Sequence, residues 1–388
     1  MPGPPCFPER PARESVKRGA LTGARFAFID GVRGLVAVWI MLFHAFAGGH
    51  VVHLETALPH FLDAFVHMAP VGIVVFFVIS GFVIAYALGS RRLDLREAGR
   101  FLARRFLRLG PPYWLSLVIT GIAAYVLTGV HPTLLGVAAH VFYLQELLHV
   151  RPLSGIYWTL SLEMQFYIVF CLLIVAADHR HGGRGDWWSR RIVFAGAGIA
   201  AAAVVLGVVR HPDEHAVFLG LWYSFLIGVF AWWVLDGVMS QWWFAAYTVV
   251  LLVGARRTGD DRVLTAVVTG AVLLGAGGIG RLGRWLSGRV PQFLGKISYS
   301  LYLIHNPVAA ICLAFTLYRL TPQTVGWELL WLIVLVMVSC LAALVFQRLI
   351  ERPSIRLSRR LRMPAAETTA CAGVDTFDAH ARDYGTGS

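Results

Sequence analysis

The chain is dominated by apolar stretches of about the 20 residues that an α-helix needs to cross a hydrocarbon core. Hydrophobic residues make up 57% of its 388 residues and charged ones only 14%, a balance that ordinary soluble domains do not show. The sequence predicts an all-α integral membrane protein, a polytopic bundle of about ten transmembrane helices. The seventh and eighth spans are short or ambiguous. The predicted spans are 28–47, 69–89, 111–130, 155–177, 192–209, 215–235, 241–255, 263–280, 298–318 and 327–347.

Basic residues, nearly all arginine, are concentrated in alternate loops and predict the orientation of the helices. The N-terminal tail and the loop after the second span are rich in them, whereas the first loop has none. Because cytoplasmic loops carry the excess of Lys and Arg, both termini are expected to be cytoplasmic. The net charge of +12 then reflects orientation rather than binding to nucleic acid. Only the segment with Arg256, Arg257 and Arg262 dissents.

These segments divide the chain into three regions. A cytoplasmic N-terminal tail covers 1–27, the transmembrane domain covers 28–353, and a cytoplasmic C-terminal tail covers 354–388. This last tail is basic at first and is predicted to be disordered from about Pro364, where polar and small residues prevail. In a bacterium, such a multi-pass protein is expected in the plasma (inner) membrane.

The first span carries a cation and a titratable imidazole, Arg33 and His44, which lie eleven residues apart. That spacing is about three helical turns, so one helix presents both on nearly the same face, roughly 16 Å apart along its axis. Ionisable side chains inside a membrane are costly and usually functional. A packed ion site that includes Asp30 is the structural alternative.

Two further polar clusters precede the middle of the chain. Ser80 and Gly81 fall near the middle of the second span, where small residues favour either close helix packing or, for Ser80, a functional role. Arg105 and Arg108 lie three residues apart at the entry to the third span. They suit a positive-inside anchor or a pair of guanidiniums that binds phosphate.

Two more clusters lie in the fourth and ninth spans. Glu163 is a carboxylate within apolar sequence, and it should be paired with a cation such as Arg33, protonated, facing water or catalytic. In the ninth span, Tyr299, Tyr302 and His305 precede Pro307. A carbonyl freed by Pro307 is one structural partner for His305.

Other patterns indicate no cofactor or metal site. The glycines of 275–280 fit G-x-G-x-x-G, but they end an apolar span rather than joining a strand to a helix. The first loop contains His50, His53, His60 and His67 without a ligand pattern that includes carboxylates or cysteines, so no metal is expected. The five scattered cysteines show no disulfide framework.

Taken in order, the polar clusters resemble the acyltransferase-3 family of integral-membrane O-acyltransferases. The resemblance runs from about Phe28 to Pro353. Its six parts are the Arg33 and His44 pair, Phe76 to Phe82, the R-x-x-R of Arg105 and Arg108, Trp158 to Tyr167, Gly295 to Pro307, and Ile350 to Pro353. Thr159 replaces the usual serine of the fourth part, and Asn306 replaces a more usual aromatic residue in the fifth.

The resemblance implies acyl transfer, with acetyl as the expected group, from cytoplasmic acyl-CoA to a hydroxyl of a carbohydrate or glycosylated acceptor. Arg105 and Arg108 would then hold the phosphates of the donor. An imidazole suits the task of a general base, which makes His44 the candidate, although transient acylation of His44 is also open. Arg33 and Glu163 complete the expected catalytic set. Ser80, Tyr299, Tyr302 and His305 are expected to bind substrate or stabilise the oxyanion.

A transporter or flippase of a glycan or small metabolite is the alternative function. Intramembrane charges such as Arg33, Glu163 and His305 are typical of transport paths. The absence of an evident inverted repeat in the sequence disfavours this alternative. An accessory or sensor subunit without catalysis is the third class.

Overall fold

The computed structural model describes residues 26–49, 51–89, 91–129, 131–179, 187–209, 217–315 and 324–361. Within these residues all regular secondary structure is helical, which confirms the all-α prediction. Most of the N-terminal tail and the C-terminal segment from about Pro364 lie outside the described residues, so the predictions for them stay predictions.

Fourteen α-helices are described, and a π-helical turn, Gln347–Glu351, joins the last two. They are α1 Ala27–Ala47, α2 Val52–Ala57, α3 His60–His67, α4 Gly72–Leu88, α5 Leu95–Thr128, α6 Leu134–Val141, α7 Trp158–His179, α8 Trp187–Val205, α9 Trp222–Leu235, α10 Gln241–Thr258, α11 Arg262–Gly278, α12 Arg289–Phe315, α13 Val325–Phe346 and α14 Arg352–Arg360.

Seven helical segments of the described chain are long and apolar enough to cross a membrane. Each of the ten predicted spans overlaps a helix, but α10, α11 and α12 are not among these seven. The structure therefore supports a multi-pass bundle, while the count of about ten and the cytoplasmic termini stay predictions. The seven are Ala27–Ala47, His60–Leu88, Leu95–Thr128, Trp158–His179, Trp188–Val205, Phe218–Leu235 and Val325–Arg360.

Helix α5 is continuous through the arginine pair and the two prolines that follow it. It begins with a capping box in which the Asp94 carboxylate accepts from the Glu97 amide and Glu97 accepts from the Asp94 amide. It then runs for 34 residues, through Pro111 and Pro112. The predicted span 111–130 implied that the arginines lie at the start of a helix. They lie instead within a long one.

Helices α1 and α12 pack together along a seam of glycines. A Cβ atom at Gly34 would lie 2.4 Å from the Gly295 nitrogen, and one at Gly295 would lie 2.2 Å from the Asp30 carbonyl oxygen. Small residues permit this close approach of two helix backbones. His44 and His305, which each follow their seam glycine by ten residues, also contact each other. The two helices therefore run parallel and in register.

A second close approach joins α4 to α9. A Cβ atom at Gly81 would lie 2.0 Å from the Phe225 carbonyl oxygen, and one at Gly228 would lie 1.9 Å from the Val78 carbonyl oxygen. Gly81 therefore serves helix packing, as the structural interpretation of its motif expected. Its neighbour Ser80 instead directs its hydroxyl to another helix.

Two buried carboxylates join neighbouring helices and connecting segments of the bundle. Asp178, at the end of α7, forms a bidentate ion pair of 2.7 and 2.8 Å with Arg190 of α8 and also accepts from the Leu93 amide. Glu328, at the start of α13, lies 2.8 Å from Nδ1 of His53 in α2. These contacts tie the connecting segments to the helices that position the site.

Candidate active site

A cavity lies among α1, α4, α7 and α12. Four helices that are distant in sequence supply its walls, so the fold brings together residues from the first, second, fourth and ninth predicted spans. Five of the nine predicted site residues line it, and aromatic and aliphatic side chains complete the walls. Its polar lining consists of Arg33, Ser80, Thr159, Glu163, Ser298, Tyr299 and Tyr302.

Glu163 is held by hydroxyl groups. The Ser80 hydroxyl donates to Oε1 of Glu163 at 2.9 Å, and the Tyr167 hydroxyl donates to the same oxygen. Sequence reasoning did not select Tyr167, although its position four residues after Glu163 places both on one helix face. These two bonds stabilise a carboxylate in an otherwise apolar region.

Arg33 lines the same cavity as Glu163, but no ion pair joins them. The structural alternative, in which Glu163 serves as the partner of Arg33, is therefore wrong for the described residues. A guanidinium and a hydrogen-bonded carboxylate instead face one shared space. Such a cavity is suited to a polar group that interacts with both a cation and a hydrogen-bond acceptor.

The two tyrosines of α12 are fixed by backbone carbonyls of other segments. The Tyr302 hydroxyl lies 2.7 Å from Oγ1 of Thr159 and donates to the Ile156 carbonyl at 3.0 Å. The Tyr299 hydroxyl donates to the Leu109 carbonyl at 2.8 Å. Thr159 therefore keeps a hydroxyl group at the position where the family motif has a serine.

His44 does not line the cavity, and its partner is His305. Nε2 of His305 lies 3.4 Å from Nδ1 of His44, and the ring centroids are 5.0 Å apart. The ring of His305 lies 6.0 Å from that of Tyr302, a cavity residue. The histidine pair thus adjoins the cavity through Tyr302.

His305 does satisfy a carbonyl, but not the one expected. Its Nδ1 lies 3.1 Å from the carbonyl oxygen of Leu301. Helix α12 continues through Pro307, whose missing amide would free the carbonyl four residues before it, that of Leu303. The predicted partner is therefore wrong, since a helical histidine reaches the preceding turn on its own.

The predicted phosphate-binding arginines form a positive cluster next to Glu163. The guanidinium carbon of Arg105 lies 5.1 Å from the centroid of the Tyr167 ring, a cation–π contact. Arg108 is half-buried and interacts electrostatically with Arg105, Arg33 and Glu351. The structure therefore groups these arginines with Arg33.

Glu351 is a site residue that the predicted set did not contain, although it lies in the closing motif. The Ser300 hydroxyl of α12 donates to Oε2 of Glu351 at 2.6 Å. The π-helical turn after α13 thus places a carboxylate near Arg33 and Arg108. The available sequence signal was an acidic residue at the end of an apolar stretch, followed two residues later by a proline.

The histidines of the first loop differ from expectation. Nε2 of His67 lies 2.9 Å from a Glu55 oxygen and 3.3 Å from an Asp63 oxygen, so the expectation that these histidines lack acidic companions is wrong for His67. The donor atoms of these three residues all lie within 4.8 Å of one another. His53 contacts Glu328, and His50 lies outside the described residues.

The glycine-rich motif ends a helix, as expected. Helix α11 ends at Gly278, and Gly280 adopts a positive φ of 69° in the turn that follows. No strand occurs among the described residues, which removes a dinucleotide-binding turn from consideration here.

The sequence of the chain is similar to those of known membrane and polysaccharide proteins. The chain is 29% identical to the provisionally named membrane-bound transacylase BcsY of Komagataeibacter xylinus, over 89% of each chain. It is 28% identical to the exopolysaccharide production protein ExoZ of Rhizobium meliloti, over 76% of this chain and 92% of that one. It is 25% identical to a provisionally named peptidoglycan O-acetyltransferase, YrhL of Bacillus subtilis, over 73% of this chain and 50% of that one.

No solved structure matches the chain significantly. The acyltransferase-3 family model, described as an acyltransferase domain, matches residues 26–346. That range contains every predicted site residue and ends before Glu351. The protein is therefore a membrane acyltransferase that belongs to the acyltransferase-3 family.

Proposed function

We propose that the protein transfers an acyl group, with acetyl as the expected one, from acyl-CoA to a hydroxyl of a carbohydrate or glycosylated acceptor. The observation that carries this proposal is the contact of His44 with His305 beside a cavity that holds Arg33 and Glu163. The relatives' names support the acceptor class, since they include an exopolysaccharide production protein and a peptidoglycan O-acetyltransferase.

His44 is proposed as the general base. Its Nε2 accepts the proton of the acceptor hydroxyl while the hydroxyl oxygen attacks the thioester carbonyl. The carbon–sulfur bond then breaks, and the departing thiolate takes the proton back from His44 to become free coenzyme A. The base is regenerated, and the products are an ester and a thiol.

Arg33 is proposed to stabilise the negative charge that forms on the thioester oxygen. It lines the cavity, and donors in a low-dielectric site contribute more to this stabilisation than donors in water. Tyr302, whose hydroxyl hydrogen goes to the Ile156 carbonyl, is proposed to shape the space that the substrate occupies. Glu163 is proposed to hold the Ser80 and Tyr167 hydroxyls in place and to balance the nearby guanidiniums. Tyr299 fixes the end of the cavity next to α5.

Arg105 and Arg108 are proposed to bind the phosphates of the donor. With the predicted orientation, the Arg33 end of α1 faces the cytoplasm, where acyl-CoA is made available. The His44 end then lies near or beyond the middle of the membrane. The thioester arm would then extend from the arginine cluster through the cavity towards the histidine pair. Guanidiniums bind phosphate oxygens in bidentate fashion.

Replacing Arg108 with Gln is expected to raise the KM for acetyl-CoA by at least about tenfold, because a charge-assisted contact of about 1.5–3 kcal/mol is lost. The KM for the acceptor should change less than twofold. Steady-state kinetics of the purified protein measures both values. Arg96→Gln, an exposed arginine twelve residues before Arg108 on α5, is the matched control, and equal effects of the two substitutions would contradict the assignment.

The function itself is tested with purified protein, acetyl-CoA labelled in its acetyl group and an exopolysaccharide or peptidoglycan fragment. We expect label in the acceptor and one free thiol for each label transferred. An acceptor whose hydroxyls are already fully acetylated should take up no label. Glycan movement across vesicles that contain the protein, without label transfer, would favour the transporter instead.

A further inference from the structure

The two histidines face each other through nitrogens of complementary character. Nδ1 of His44 lies 2.8 Å from the carbonyl oxygen of Ile40. Since a carbonyl only accepts, Nδ1 must carry the hydrogen, and in the neutral ring Nε2 then has the free lone pair. The same argument applies to His305, whose Nδ1 lies 3.1 Å from the Leu301 carbonyl.

The atoms that meet between the rings are therefore Nδ1–H of His44 and the Nε2 lone pair of His305, 3.4 Å apart. The hydrogen of His44 is shared between the Ile40 carbonyl and the second ring. His305 is only 1% exposed, whereas His44 is half-buried. The ring of His44 is thus accessible, and the ring of His305 is enclosed as its partner.

The backbone sets this arrangement. The seam at Gly34 and Gly295 brings α1 and α12 into close contact ten residues before each histidine. Because the two helices run in register, the rings meet without long flexible side chains. The pairing of His44 with His305 is therefore a fixed feature of the fold.

Few other ionisable groups face the pair from the helices packed against α1. On α12, the Tyr302 ring lies 6.0 Å from that of His305. On α3, His67 and its carboxylate companions lie beyond Phe43, whose ring is 6.1 Å from the His67 ring. On α4, Tyr86 contacts Phe26 at the opposite end of α1.

We infer that His305 is a positioning residue for His44, a role that rests on the proposed function of His44 as base. It accepts a hydrogen bond from Nδ1–H, which holds the ring with Nε2 available to the acceptor hydroxyl. When His44 takes the hydroxyl proton, His305 shares the positive charge of the imidazolium. A neutral imidazole thus occupies the place that a carboxylate occupies in the Ser-His-Asp triad.

Substitution of His305 tests this role. His305→Leu should lower kcat about thirtyfold, which is less than the roughly 10² to 10⁴ that a general base contributes as a whole, and change the KM for acetyl-CoA less than twofold. His305→Gln, whose amide oxygen can accept from Nδ1–H, should recover most of kcat. Asn306→Ala, next to His305 and bonded to Ser154, is the control that should leave kcat unchanged.

The pH profile separates positioning from a merely structural role. Removing an acceptor that stabilises the imidazolium should move the acidic limb of kcat/KM to lower pH in His305→Leu, whereas His305→Gln should keep the wild-type limb. Wild-type kcat in the Leu variant, or equal profiles for the Leu and Gln variants, would overturn the inference. If the Leu variant does not elute as a monodisperse protein, His305→Asn, which is too short to reach Nδ1, replaces it.

His44→Ala measured in parallel separates the two hypotheses. If it transfers acyl groups at the wild-type rate, the proposed base is wrong, and the role of His305 falls with it. If it is inactive while His305→Leu is fully active, only the role of His305 is wrong.

Discussion

Replacement of His44 with Ala is expected to lower kcat for acyl transfer about a thousandfold, because the acceptor hydroxyl loses its base. General bases contribute roughly 10² to 10⁴ to rates of this kind. The proposed phosphate contacts of the donor lie at Arg105 and Arg108, so the KM for acetyl-CoA should change little. Steady-state transfer of labelled acetyl by purified protein gives both values.

His67→Ala is the matched control for His44→Ala. His67 is exposed, lies beyond Phe43 and contacts Glu55 and Asp63, so its loss should leave kcat within about twofold. Both variants should insert into the membrane and elute as the wild type does. A rate for His44→Ala within tenfold of the wild type would contradict the base assignment.

Replacement of Gly34 with Ala is expected to destabilise the bundle and to reduce activity together. The added methyl group would lie 2.4 Å from the backbone nitrogen of Gly295, and a backbone atom cannot move aside as a side chain end can. The two helices must separate, at a cost of about 3 kcal/mol, the upper part of the usual range for overpacking. Thermal unfolding of the detergent-solubilised protein measures this loss.

Gly275→Ala is the control for that substitution. Gly275 lies within α11 with nothing within 4 Å of a built Cβ atom. Its replacement should leave stability unchanged or raise it by up to about 1 kcal/mol, since alanine is the better helix former. Equal melting temperatures for Gly34→Ala and the wild type would show that the seam does not require glycine.

Much of the fold follows from the sequence, because hydrophobic stretches of span length determine where helices form. Arg33, Ser80 and Glu163 each interrupt such a stretch, and the cost of placing a polar group there distinguishes them by sequence alone. Their convergence on one cavity rests on helix contacts between distant parts of the chain, which one sequence does not specify.

The sequence could not predict which of the polar side chains contact each other. His44 and His305 are 261 residues apart, and their contact depends on two glycines that resemble many others in the chain. Arg33 and Glu163 looked like natural ion-pair partners by charge alone, yet the hydroxyls of Ser80 and Tyr167 satisfy the carboxylate. Local sequence patterns identify the polar residues that are costly to bury, whereas helix packing determines which groups become their hydrogen-bond partners.

The central claim is that His44 removes the acceptor proton as the thioester is attacked. A rapid-quench experiment can follow labelled acetyl and free thiol together in the first turnover of the wild type and of His44→Gln. We expect equal amounts of ester and thiol in the wild type, and a parallel fall of both, by about a thousandfold in rate, in the variant. Ester formation by His44→Gln at close to the wild-type rate would contradict the claim.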